Sequence, residues 1–379
     1  MTKLQTAMAG VIVVGLVITP VVIHYQSRLR RENEGLRSQL AQHETRGQEL
    51  SNQLARLKRV AALRASELQE PVAAAKPADD KPPFQRVTEF IESHYGLPRD
   101  QVEAYVQRNH RNLESLLAAF QVSHEPAYLR EAATNAPNNP AVQFAVVAHN
   151  IFPDEQRKWI DAFRASSPDN ALPWYFSALD YFKSKQPEQA IQELTLATRR
   201  QLYADYAAQT GQAVEELYDS AGWPTLAAKA VAPGSASFLS GPYLGMLKSL
   251  ANETVELQQR YLNHADPSSA STMAAMGLQL AGQLRRANGP LDQLVGVAVE
   301  KKILGQLDPA GSYEFLGRPV SQALVELDQQ RQMIREAIQL RDRVRPTLSE
   351  SELNNYWDRE KLYGEMYAMQ WLQSQHAQH

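Results

Sequence analysis

One stretch, PWYFSALDYFKSKQPEQAIQELTLA at residues 173–197, constrains this chain more than any other. Large and small side chains recur in it at fixed intervals: Trp174, Ala178 and Tyr181, then Ala190, Leu194 and Ala197. Steps of four and three place each trio on one face of a helix. Gln186-Pro187 divides the two runs, and Pro187 sits at a helix start, where its missing N–H costs little. Alanines at 178 and 190 let two antiparallel helices approach closely, while Trp174, Tyr181 and Leu194 fill the space around that contact. The stretch predicts a tightly packed helical hairpin.

Such a hairpin cannot bury its apolar face alone, so neighbours of similar build are expected. Leu113, Leu116, Leu117, Leu129, Ala132 and Pro137 outline a looser unit upstream. Between the two, PAVQFAVVAHNIFPDEQRKWIDAFRASSP supplies two more helical runs, with Arg157 where a small residue belongs. Counted from Ala171, the six positions of the best unit match the large and small positions of a tetratricopeptide repeat, and the chain resembles that family over about 100 residues. The resemblance implies a solenoid of stacked hairpins across 84–204, whose first helices line a concave face that takes an extended peptide or helix from a protein partner. It places Leu172, Tyr175, Phe176, Leu179, Phe182 and Lys183 on that face. Family members that clamp a C-terminal carboxylate carry Lys and Asn at such places; Tyr175 and Leu179 here argue against that ligand. Packing against neighbouring helices is the competing role for the same side chains.

The first seventy residues have a different character. Residues 7–25, AMAGVIVVGLVITPVVIHY, contain no charge, and a helix of that length rises about 28 Å, enough to cross a bilayer. A transmembrane anchor over 1–27 is expected, in preference to a cleaved signal, because no small-x-small site follows. Arg28, Arg30, Arg31 and Arg37 follow the span, so the positive-inside tendency places the C-terminal bulk in the cytoplasm of an inner-membrane protein; export to the periplasmic side is the alternative. Leu29, Leu36, His43, Leu50 and Leu57 then recur every seven residues, with Asn33, Leu40, Gly47, Leu54 and Ala61 four further on. That seam over 29–61, within a coiled-coil segment 28–69, predicts a parallel homodimer. Residues 70–83 hold four prolines and read as a flexible linker.

Beyond residue 204 the periodicity marks helical runs at 207–220, 243–264, 271–287, 291–305, 320–343 and 350–374, expected as a C-terminal helical bundle over 205–379. Turn signals separate them: AGWP, APGSASFLSGP, NHADPSS, ANGP and LDPAGSYEFLGRP. The last run opens with the capping box Ser349-x-x-Glu352 and carries Leu353, Tyr356, Trp357, Tyr363, Tyr367 and Trp371 at helical spacing. No stretch alternates as a strand would. The expected class is all-α.

Composition narrows the function. The chain has no cysteine, which excludes disulfides, thiolate metal sites and a cysteine nucleophile. Its nine histidines form no short ligand spacing, and the glycine-containing loops GPYLG and GRP offer too few consecutive donors for a phosphate. No cofactor is expected. Residues 71–379 carry 29 basic and 36 acidic side chains, with no basic stripe for nucleic acid. Glu215-Glu216 and Glu350 with Glu352 read as solvated charge. The Glu-Ser dipeptides at 92–93 and 350–351 leave a remote alternative, a peptidoglycan-acting lytic enzyme with an α-superhelix, but the glycine- and glutamine-rich segment such a site needs follows neither. The leading expectation is a non-enzymatic scaffold that is anchored in the membrane and presents its helical domain to a protein partner. The layout resembles that of bacterial inner-membrane proteins with one N-terminal anchor and cytoplasmic tetratricopeptide repeats. The second expectation is an envelope-assembly or stress-signalling regulator acting through its coiled coil.

Overall fold

A computed structural model describes residues 81–376, apart from Tyr95, Ala207, Ala208 and Ser312, and gives the backbone without the side chains for 235–240. The expected membrane span at 7–25, the heptad seam at 29–61 and nearly all of the linker lie outside the described residues. What is described is all-α, with one isolated bridge between Asn170 and Leu202 as its sole extended pairing. Residues from Asp80 onward make one compact unit.

The first part follows the expected rhythm. After α1 (Pro83–Ser93) and α2 (Arg99–Arg108), three hairpins follow in turn: α3 (Leu113–Ser123) with α4 (Pro126–Asn135), α5 (Pro140–Ala148) with α6 (Gln156–Ser166), and α7 (Leu172–Lys183) with α8 (Pro187–Thr198). Four of these six starts are written locally. Asn112 Oδ1 accepts from Ser115 N at 2.9 Å, Asn139 Oδ1 accepts from Ala141 N at 2.9 Å, and Pro126, Pro140 and Pro187 stand at first helical positions. In the last of these hairpins Ala178, Ala190 and Ala197 are fully buried, and α7 packs on α8. Trp174 lies between two cations, with the Arg164 and Arg200 guanidinium carbons 4.2 and 4.7 Å from its ring centre. Arg157, the departure in the middle unit, reaches onto α7, where it donates to Ser177 Oγ at 3.0 Å and stacks 4.4 Å from the Tyr181 ring centre. A polar tie replaces close packing there.

The second half departs from expectation in two places. APGSASFLSGP, expected as a turn, is helical: after α9 (Gly211–Ser220), α10 runs unbroken from Thr225 to Asn263 through Pro233 and Pro242. An interior proline costs a helix about 3 kcal/mol or more. Packing offsets that cost, because Ala227, Ala228 and Ala232 before the prolines and Tyr243, Leu247, Leu250 and Ala251 after them are all buried. α10 lies against α3, α5 and α7, the first helices of the three hairpins, and also against α9, α11 (Pro267–Arg285) and α12 (Pro290–Leu304). The expected boundary at 204/205 therefore does not divide the packing, and one hydrophobic core extends from Val102 to Leu327.

The second departure is in the last run. After α13 (Val320–Val344), the aromatic segment splits at Gly364 into α14 (Glu350–Tyr363) and α15 (Glu365–His376). Gly364 has φ +91°, and a Cβ on it would stand 2.5 Å from Asn288 Cβ, so the bend requires glycine twice over. Met366 N then donates to Asn288 O at 3.0 Å. Tyr356, Trp357, Ala368 and Leu372 from this bent pair bury a second cluster with Val87 of α1 and Ala227 of α10.

Close approach also governs α11 against α12. A Cβ on Gly296 would lie 2.8 Å from both Ala281 O and Arg285 N, which are backbone atoms that cannot rotate aside. Gly296→Ala gains up to about 1 kcal/mol of helix propensity, but the overpacking costs about 1–3 kcal/mol. The variant should therefore lose about 1 kcal/mol in a denaturant titration, and Gly296→Val should lose more; an unchanged midpoint for both would show that the two helices yield freely.

Candidate functional site

The six residues assigned to a binding groove do not form one. Leu172, Tyr175, Phe176, Leu179 and Phe182 are buried, and only Lys183 is exposed. The cause is α10, whose packing along α7 occupies the side of the hairpins that the resemblance left open. Phe176 stacks near Phe144 at 6.4 Å, and Phe144 meets Tyr243 of α10 at 5.5 Å. These side chains are core, and the concave-face assignment is corrected accordingly. Of the paired acids, Glu350 and Glu352 are exposed as expected, Glu350 meeting Arg86 at 3.3 Å. Glu215 is not solvated charge: it is buried and ion-paired with Lys361.

A cavity of about 460 Å³ opens elsewhere, where three chain reversals meet. The first wall is the segment 201–206 after α8, held in place by Asn170. That fully buried amide donates to Ala204 O at 2.8 Å and accepts from Ala204 N at 3.1 Å, while Ala171 N donates to Leu202 O at 2.9 Å. The second wall is the α11–α12 turn, from Gln283 to Asp292. The third is the bend between α14 and α15, from Glu360 to Glu365. Ala232 and Pro233 of α10 contribute to the lining between them.

The mouth is apolar: Leu202, Leu291, Leu362 and Tyr363 line the cavity and yet are 49%, 56%, 56% and 54% exposed. The interior is rich in acceptors. Asp292 is buried and takes a short hydrogen bond from the Tyr243 hydroxyl, which also lies 3.3 Å from Asp205 Oδ2. Gln283 spends its Nε2 on Arg200 O at 3.1 Å, and its buried Oε1 has no hydrogen-bond partner. Two lining charges are already matched, Lys361 by Glu215 and Glu365 by Arg341. Neither Asp292 nor Glu360 makes an ion pair among the described residues. Burial pushes Asp292 up to about 6, against the Tyr243 hydrogen bond, and neighbouring Asp205 adds to the rise. Burial likewise pushes Glu360 up to about 7, with Glu365 adding and Arg345 and Arg341 opposing.

Nothing in the sequence brings these residues together. Asp292 reads locally as an acid in the first turn of α12, Glu360 as a charge on an aromatic helix, and Gln283 as a helical polar residue. The ANGP turn was the legible signal, since it fixes where one wall reverses. No family model, no curated protein and no solved structure matches this chain. Among the described residues no group of three His, Asp or Glu could hold a metal ion.

Two outcomes follow from this geometry. The Tyr175 ring is buried and its hydroxyl has no partner. Tyr175→Ala should therefore cost about 3–5 kcal/mol, whereas Tyr175→Phe should be neutral or stabilising; equal losses in both, measured by chemical unfolding, would mean that the hydroxyl matters after all. A carboxyl held above its ordinary value binds protons preferentially in the folded state, so Glu360 penalises folding as pH rises from 4.5 to about 7. Glu360→Gln should raise the thermal midpoint at pH 8 and leave it nearly unchanged at pH 4; a gain of the same size at both would remove the ionised carboxylate as the cause.

Proposed function

We propose that this chain is a non-enzymatic interaction protein, tethered to a membrane through residues 7–25, which offers the cavity between α8, α11 and α14 to a protein partner. One observation carries this reading: four large apolar side chains, Leu202, Leu291, Leu362 and Tyr363, stand exposed around the mouth of a cavity with polar walls. An exposed apolar rim around a cavity is what a buried anchor residue of a partner needs, because rim contacts exclude water while the anchor is desolvated. Tyr367 extends the patch, its ring centre 4.9 Å from that of Tyr363. The aromatic groove that the repeat resemblance implied has no such supporting surface. The tetratricopeptide-like order of the hairpins supports a scaffold role.

The tether rests on the uncharged run at 7–25, and the parallel coil at 29–61 on its heptads. Among the described residues no helix is long and apolar enough to cross a membrane. The test uses the full chain in cells with a photo-crosslinking amino acid at one position. Replacement of Leu362 or Leu291 should give a discrete heavier adduct, and replacement of Met333, 61% exposed on α13, should give none. Equal adducts from all three positions, or none from the rim, would exclude the cavity mouth as the docking site.

A further inference from the structure

The cavity is unbalanced in a way that specifies its occupant. Asp292, Glu360 and the Gln283 Oε1 can all accept hydrogen bonds, yet the first takes only the Tyr243 hydroxyl and its own backbone N–H, and the last has no donor at all. Lys361 is committed to Glu215 and Gln212. Arg286 also lines the cavity, at its exposed α11–α12 edge, with its guanidinium folded back toward Gly282 of its own helix. An occupant must therefore bring N–H donors and positive charge to the interior while presenting apolar surface to Leu202, Leu291, Leu362 and Tyr363 at the mouth. A long basic side chain has this division, an apolar stem below a charged head. Arginine fits better than lysine, because a planar guanidinium carries five donors and can meet a carboxylate and an amide oxygen together. The surrounding chain favours approach of a basic partner, with 36 acidic against 29 basic side chains from residue 71 onward.

Resting on the interaction role proposed above, we infer that the cavity binds an arginine side chain presented by a protein partner, its stem on the Leu291–Leu362 rim and its guanidinium on Asp292, Glu360 and Gln283. An ion pair with the guanidinium would offset the desolvation that raises both carboxyls.

The test is an equilibrium titration of the full-length protein in detergent micelles, read by saturation-transfer NMR on three capped tripeptides, Ala-Arg-Ala, Ala-norleucine-Ala and Ala-Glu-Ala. The arginine peptide should bind saturably, at least tenfold more tightly than the norleucine peptide, and the glutamate peptide should not bind. Glu360→Gln should weaken the arginine peptide about tenfold and leave the norleucine peptide unchanged. Asp292→Asn should do the same; circular dichroism checks its fold, and the more exposed rim variant Leu291→Ser supplies an independent loss should Asp292→Asn unfold. Equal affinities for arginine and norleucine peptides would overturn the inference. So would agmatine binding as tightly as the peptide and indifferently to Leu291→Ser, which would make the ligand a free small cation. Rim crosslinks that map to the chain's own arginines between residues 28 and 64 would overturn it in favour of an internal occupant. If the arginine peptide fails to bind while the Leu362 crosslink to a partner persists, the arginine assignment falls and the docking role stands; if both fail, both fall.

Discussion

The packing of α10 across the first helices of three hairpins is the contact on which the rest of the described structure depends. A stack of hairpins buries one side of each helix pair and leaves the other open, so an isolated array would expose the ring faces of Tyr175, Phe176 and Phe182. α10 packs along α7 and adds Tyr243, Leu247 and Leu250 to the same core, and this shared burial sustains a helix of 39 residues over two interior prolines. The same helix binds the hairpins to α11, α12 and the aromatic pair α14–α15, so the whole from Asp80 onward has one compact body.

Covering that face moves the open surface to the place where the chain reverses direction. Helix ends and turns carry backbone polar groups that cannot be buried unpaired, so the junctions of 201–206, 286–290 and 363–365 pack less completely than the helices they join. Asn170 fixes the first junction with both ends of its amide, and the Gly364 bend fixes the third against Asn288. The cavity is thus a consequence of where three rigid elements stop, and its carboxylates are buried by the walls rather than by a dedicated loop. Tyr243 links the two levels, because its ring belongs to the core and its hydroxyl holds Asp292 at the cavity wall.

How much was legible depended on the range of the interaction. Ala178, Ala190 and Leu194 announced a hairpin because helix pairing a few residues apart leaves a periodic trace, and Pro187 and the capping box at Ser349 did the same for helix starts. The run at 232–242 reads as a turn and folds as helix, because its proline and glycine signals are local whereas the packing that overrides them is not. Lining residues such as Asp292 and Glu360 gave no joint signal, since each obeys the ordinary rules of its own helix.

The sequence by itself determined the all-α class, the positions of most helix starts and the close nesting of α7 on α8, because each of these is set by propensities and spacings within a few turns of one chain segment. Only the tertiary structure decided that the aromatic face of α7 is core, that Glu215 is a buried partner of Lys361, and that three distant turns enclose a cavity. Those facts come from contacts between residues up to about 150 positions apart, and such contacts are fixed by how whole helices share one hydrophobic core rather than by any local pattern.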